Sequence, residues 1–327
     1  MRRAIFLAIT LASSLLTAAD PPQAEISNGG VHAKLYLPDA ANGYYRATRF
    51  DWSGVIASLE FQGHSYFGVW FPRYDPKVND SITGPVEEYR TGDSAPGYAE
   101  AKTGETFVRI GVGLLKKPEE ARFQQFKTYE IVDNGKWTVK TAADSVEFTH
   151  EVTDPVSGYA YLYRKTVRLA KDAPRMTIDH SLKNTGKKSI ETNVYNHEFF
   201  MLDNQPSGPD FSVKFPFDLK AVADFRGLAE VRGKELHYLQ ELRTGNTVHT
   251  ELTGFGNSAR DFDFRVENAK TGAGVHVTGD QPLWKMDFWS IRNTLCPEAY
   301  INMKIEPGQE SQWHIVYDFY VVKPAAQ

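Results

Sequence analysis

Tyr161-Leu-Tyr-Arg-Lys-Thr-Val-Arg-Leu169 and Arg175-Met-Thr-Ile-Asp-His-Ser-Leu182 are β-patterned runs, Asn184-Thr-Gly186 then turns the chain, and Ile190-Glu-Thr-Asn-Val-Tyr195 leads into Asn196-His-Glu-Phe-Phe200. Apolar and polar residues that alternate with a period of two mark strands with one buried and one wet face. The same alternation recurs in Val31-His-Ala-Lys-Leu-Tyr-Leu37, Thr106-Phe-Val-Arg-Ile-Gly-Val112, Lys127-Thr-Tyr-Glu-Ile-Val132, Lys136-Trp-Thr-Val-Lys140 and Gln312-Trp-His-Ile-Val-Tyr-Asp-Phe-Tyr320. Asn42-Gly, Asn134-Gly, Asn184-Thr-Gly, Lys270-Thr-Gly and Pro307-Gly separate such runs as turn signals. A string of strands and turns predicts an all-β fold, a large antiparallel β-sandwich, with no alternating β and α units. Only residues 218–230 carry a helical pattern, weakened by Gly227, and no fixed-period repeat is visible.

Three further segments follow in a fixed order after His197: Gly274-Val-His-Val-Thr-Gly-Asp-Gln-Pro282, Leu295-Cys-Pro-Glu298-Ala299 and Ile305-Glu-Pro-Gly308-Gln309. With the Asn-His-x-aromatic-Phe stretch, this ordered set resembles the aldose 1-epimerase, or galactose mutarotase-like, superfamily. The resemblance covers about residues 160–320, and residues 30–75 only loosely. It implies the many-stranded supersandwich of that family, as one domain over residues 20–327, and an isomerase acting on a carbohydrate.

The chemistry it implies needs one group to protonate a hemiacetal ring oxygen and another to take the anomeric hydroxyl proton, with no metal or organic cofactor. His197 matches the family's histidine acid and Glu298 its glutamate base, and burial would raise the Glu298 pKa. Both residues also have plain structural readings, as a strand-end histidine and a solvated carboxylate. The expected geometry has them within about 10 Å, one sugar ring between them.

Around that pair, Asn196 is a candidate for a sugar hydroxyl. Trp284, Phe288 and Trp289 could stack on a pyranose, although two of the three fit a core better, and Trp284 is the one assigned to substrate. Arg46, Arg49 and Arg73 are candidates for an anionic sugar, with surface ion pairs as the alternative. The chain departs from the family in carrying no histidine from Asp75 to Thr149, where a second site histidine is expected; Gly84-Pro-Val-Glu-Glu88 and Phe107 to Lys117 occupy that stretch, and His64 is a poor substitute. Asp261 and Asp263 are weak counterparts of the family's substrate aspartate. Residues 73–101 read as long loops with little strand content, placed over the site's mouth. These departures keep two other functions open, a non-catalytic carbohydrate-binding module and a polysaccharide lyase or hydrolase on the same scaffold.

Composition fits an exported protein. Arg2 and Arg3, the apolar run Ile5 to Leu16 and Thr17-Ala-Ala19 form a signal peptide over residues 1–19, which predicts a periplasmic or secreted location without a membrane anchor. Cys296 is the only cysteine, so stability rests on burial, for which 20 Phe, 16 Tyr and 6 Trp supply area. The formal charge of −4, with no basic block, argues against nucleic acid as a partner.

Overall fold

The computed structural model describes residues 20–322, so the signal-peptide segment lies outside the described residues. The alternation in the central strands becomes literal burial. In Ala160–Leu169 the residues Tyr161, Tyr163, Val167 and Leu169 point inward, and in Arg175–Asn184 so do Met176, Ile178 and Leu182. Both belong to a ten-stranded antiparallel sheet, which runs from Ala229–Arg232 through Glu235–Tyr238, Phe211–Lys214, Asp263–Asn268, Ala273–Gly279, Glu310–Val321, Arg175–Asn184, Ala160–Leu169 and Ser145–Thr153 to Lys136–Thr141.

A six-stranded antiparallel sheet packs across it, in the order Lys220–Ala221, Val248–Thr253, Lys285–Ile291, Thr294–Ile305, Ile190–His197, Val86–Arg90. The inner faces meet in one large apolar cluster that includes Val194, Ile301, Met286 and Phe288 from the six-stranded sheet and Tyr163, Ile178, Trp313 and Tyr317 from the ten-stranded one. Burying apolar area at roughly 25 cal/mol per Å² is the dominant favourable term for such a layer pair. A four-stranded sheet (Gln23–Ser27, Val31–Tyr36, Val55–Phe61, His64–Phe67) and a three-stranded one (Thr106–Arg109, Gly113–Lys116, Ile131–Asp133) complete the β structure. The fold class read from the sequence is the observed one.

One local expectation is corrected. Residues 218–230 form no helix. Leu219, Phe225 and Ala229 are drawn into the core, and the left-handed pair Arg226 and Gly227 (φ 54° and 72°) turns the chain between the short strands Lys220–Ala221 and Ala229–Arg232. Residues 73–101 hold one strand, Val86–Arg90, the edge of the six-stranded sheet and antiparallel to Ile190–His197. Its entry is tightly packed: a Cβ at Gly84 would lie 2.3 Å from the Glu198 carbonyl oxygen, so only glycine lets the chain pass the end of the histidine strand.

Candidate active site

The site is the outer face of the six-stranded sheet. Counting every second residue on neighbouring strands gives His249, then Lys285, Asp287 and Trp289, then Glu298 and Tyr300, then Tyr195 and His197, then Arg90, all of which line one open cavity of about 500 Å³. The remaining wall comes from chain outside that sheet, namely Arg49, Trp70, Asp80, Gln125, Phe126 and Phe199. Register fixes the key neighbours: Asp287 sits opposite Glu298, and Glu88 opposite Tyr195.

His197 Nε2 lies 3.3 Å from Glu298 Oε1. Contact at that distance replaces the expected spacing, since no sugar ring fits between them, although both reach the same cavity. The His197 ring stacks on Phe199 (centroids 3.8 Å apart, planes 6° apart) and meets Trp289 and Phe50 edge-on at 5.4 and 5.8 Å. Phe199 itself has φ 44°, a left-handed conformation that costs a non-glycine residue on the order of 1–3 kcal/mol, and it also stacks on Trp70 at 4.8 Å. The chain therefore folds back immediately after His197, and the aromatic side chain backs the imidazole.

Burial, with Arg49 next, pushes the His197 pKa well below 6.5, so the ring is neutral. Burial, reinforced by the facing Asp287, raises Glu298 to about 8, and Tyr300 donates its hydroxyl proton to Glu298 Oε2 at 3.2 Å. A neutral imidazole thus stands beside a carboxylic acid at neutral pH. Asp287 is held by Lys285 Nζ at 2.5 Å.

A second buried cluster fixes the wall. Arg49 donates from Nε to Glu88 at 2.9 Å, from one terminal nitrogen to Asp80 at 2.6 Å and from the other to the Tyr195 hydroxyl at 3.2 Å. Arg109 donates to Glu88 at 3.0 Å and to the Tyr89 carbonyl at 2.6 Å, and Tyr195 donates to Glu88 at 2.6 Å. Burial opposes ionisation of Glu88, but Arg49 and Arg109 outweigh it and hold the carboxyl down to about 2. Arg49 and Glu88 are thus a permanent ion pair that anchors the cavity wall.

Several residues named from the sequence lie elsewhere. Asn196 is on the opposite face of its strand, because successive residues alternate, and there it donates to the Tyr317 hydroxyl at 3.0 Å between the sheets. Arg46 bonds the Ala41 carbonyl and Arg73 is exposed; neither lines the cavity. Trp284 precedes the strand Lys285–Ile291, is 52% exposed, and stays outside the cavity, whereas Trp289 lines it and Phe288 is core. His64 pairs with Asp203 at 2.9 Å and Asp263 with His276 at 2.9 Å, and Asp261 accepts from the Gly256 amide, so none of these carboxylates or histidines reaches the cavity. The segment 73–101 contributes Asp80 and Arg90 to the wall. Tyr195, Tyr300, Asp287 and His249 were missed by sequence reasoning, although the period-two rule applied outward from His197 and Glu298 reaches the first two; of the three aromatics considered for stacking, Trp289 is the one at the cavity. Among the described residues no three His, Cys, Asp or Glu side chains are grouped to hold a metal ion.

Solved structures share this architecture. The Slr1438 protein of Synechocystis sp. PCC 6803 aligns with a TM-score of 0.58 at 12% identity, covering 95% of this chain and all of its own. A galactose mutarotase related enzyme from Lactobacillus acidophilus gives 0.53 at 13% identity, covering 93% and 100%. A GalM/aldose epimerase homologue from C. elegans gives 0.53 at 14% identity, covering 92% and 99%. The fold is galactose mutarotase-like. No protein-family model and no curated protein sequence matches the chain. In the mutarotase-like fold found here, the cavity opens on the outer face of the smaller sheet, and the second histidine lining it is His249.

Proposed function

We propose that this protein is a carbohydrate epimerase of the mutarotase type, acting on a sugar hemiacetal by acid-base catalysis with His197 and Glu298. The observation that carries the reading is the 3.3 Å contact of a neutral histidine and a protonated carboxyl at the cavity surface. In a hemiacetal the ring oxygen and the anomeric hydroxyl are bonded to one carbon. Two proton-handling groups in contact match two oxygens that share an atom, better than they match opposite sides of a ring.

The protonation states reverse the roles implied by family resemblance. Glu298 is the acid: its carboxyl proton goes to the ring oxygen as the bond from that oxygen to the anomeric carbon breaks. His197 is the base: Nε2 takes the anomeric hydroxyl proton as the carbonyl forms. Rotation of the open chain presents the other carbonyl face, and on closure His197 gives its proton to the carbonyl oxygen while Glu298 takes one back from the attacking hydroxyl, so both groups return to their starting states. A pKa near 8 suits an acid working at neutral pH. Trp70 and Trp289 supply aromatic faces for the pyranose. Arg49 acts through Glu88 and Tyr195, with all three guanidinium nitrogens engaged.

Anomer exchange measured by NMR on freshly dissolved single anomers, over a panel of neutral and acidic sugars, tests the reading. His197→Ala and Glu298→Gln are each expected to slow exchange by about 10²- to 10⁴-fold. Sugar binding that both variants retain, with no exchange in the wild type, would leave a binding module; new chain ends in oligosaccharide digests would indicate a lyase or hydrolase. We also propose export, supported by the three-part signal over residues 1–19. N-terminal sequencing of the mature protein should start near Asp20.

A further inference from the structure

A second cleft, of about 650 Å³, adjoins the catalytic cavity, and Arg90 and Gln125 line both. It is too large to be the margin of a site for one free sugar, and its walls have a distinct character. Three cations, Arg90, Lys117 and Arg122, face one carboxylate, Asp93.

None of the three is neutralised by a tight ion pair. Arg90 is 3.6 Å from Asp93, whose side chain is fully exposed. Lys117 Nζ donates to the carbonyls of Tyr98 and Ala101 at 2.9 and 2.8 Å and lies 4.4 Å from the Tyr98 ring centroid. Two of its three ammonium protons are therefore used by neutral acceptors, which hold the charge in place and leave a third donor. Arg122 is exposed, and among the described residues its guanidinium has no carboxylate partner. Tyr98 and Phe123 add aromatic surface, the usual companion of a sugar face. Gln125, on the ridge between the two hollows, is pinned by its amide to both Glu88 oxygens at 3.2 Å.

We propose that the substrate is an acidic oligosaccharide: its reducing-end ring lies over His197 and Glu298, and the next ring places a carboxylate or sulfate among Arg90, Lys117 and Arg122. This rests on the epimerase reading for the first ring and deepens it by naming the substrate class. The anionic subsite thus lies one ring away from Arg49, the one of the three arginines named from the sequence that lines the catalytic cavity.

Isothermal titration calorimetry of the mature protein with glucuronosyl-galactose, glucosyl-galactose, a sulfoglucosyl-galactose and galactose tests it. The uronate is expected to bind about tenfold more tightly than its neutral counterpart, equal to about 1.4 kcal/mol, with the advantage shrinking at high salt. Lys117→Gln/Arg122→Gln, which leaves Arg90 in place, should remove most of the preference, and Arg122→Gln alone, which breaks no contact of the Lys117 kind, should halve it at an unchanged thermal midpoint. Comparable gains for the sulfated and uronate disaccharides mean the cleft reads charge; a gain for one alone names the group. Equal affinity for acidic and neutral disaccharides, no disaccharide binding, or a preference that survives both variants would overturn the proposal. Tight acidic binding without anomer exchange removes the epimerase reading and keeps the subsite, while exchange on galactose without an acidic preference does the reverse.

Discussion

Two histidine-carboxylate contacts lie back to back in this sandwich, and their carboxyl pKa values move in opposite directions. Between the sheets, His180 Nε2 is 2.8 Å from Glu87, both are fully buried, and Lys165 joins them by bonding Glu87 and the Ser53 carbonyl, with Asp51 3.8 Å away. On the outer face, His197 is 3.3 Å from Glu298, and the facing group is Asp287. Burial alone would raise both carboxyls. Lys165 and His180 outweigh it at Glu87, which stays ionised well below the ordinary range, while Asp287 adds to it at Glu298, which rises to about 8. Proximity of a histidine to a carboxylate therefore does not identify a working pair. The sign of the next charge and access to solvent do.

The sharpest break of that comparison is Lys165→Met. Removing the inner cation leaves Glu87 and Asp51 buried together without a counter-charge, and the expected loss is about 3–5 kcal/mol of unfolding free energy in urea. Glu298→Gln should show no such loss at pH 7. Equal effects would mean that the outer pair is also structural.

The sequence carried the layer architecture because burial imposes a period of two that a reader can count, as in Tyr161, Tyr163, Val167 and Leu169. It also marked His197, at the end of its strand, and Glu298, within Thr294–Ile305, as candidates. What it could not carry was face and distance. Asn196 adjoins His197 in sequence, yet the alternation sends it to the other side of the sheet. The Arg49 wall needs Asp80, Glu88 and Tyr195, which are 31, 39 and 146 residues away, so only tertiary packing reveals that its donors are engaged. Glu87 and Glu88, neighbours in the chain, enter the inner and outer clusters respectively for the same reason.

A second test uses the pH dependence of stability. Between its ordinary value of 4.5 and about 8, Glu298 keeps a proton in the folded protein that the unfolded chain has released. Stability therefore falls as pH rises through this window. The shift sets the scale at a few kcal/mol, so the thermal midpoint of Glu298→Gln should overtake that of the wild type toward pH 8.5. Glu87 has the opposite sign: its depressed pKa contributes stability that is lost only on acidification. A wild-type midpoint that rises from pH 6 to 8.5 relative to the variant would contradict the suppressed ionisation of Glu298.

Catalysis gives a third. With Glu298 as acid and His197 as base, anomer exchange should be flat across neutral pH. It should fall about tenfold for each unit above pH 8, and fall again only well below pH 6.5 as His197 takes a proton. The reverse pair, imidazolium with carboxylate, holds the same number of protons and gives the same profile, so the profile tests the two shifted pKa values: a maximum confined between the ordinary values of 4.5 and 6.5 would contradict them.

The smallest expected effect separates the two faces at a single peptide bond. Asn196→Ala removes the amide that donates to the Tyr317 hydroxyl at 3.0 Å, and Tyr317 itself donates to Glu198 at 3.2 Å. Losing one member of a buried polar chain costs about 1–2 kcal/mol, because the Tyr317 oxygen is left without that donor. Nothing in this chain reaches the cavity, so exchange measured at 25 °C should stay within about twofold of the wild type. His197→Ala, one residue on, should do the converse, with exchange lost and unfolding little changed. If Asn196→Ala slowed exchange as much as His197→Ala does, the inner network would be positioning the imidazole through the strand, and the two faces could not be treated as separate.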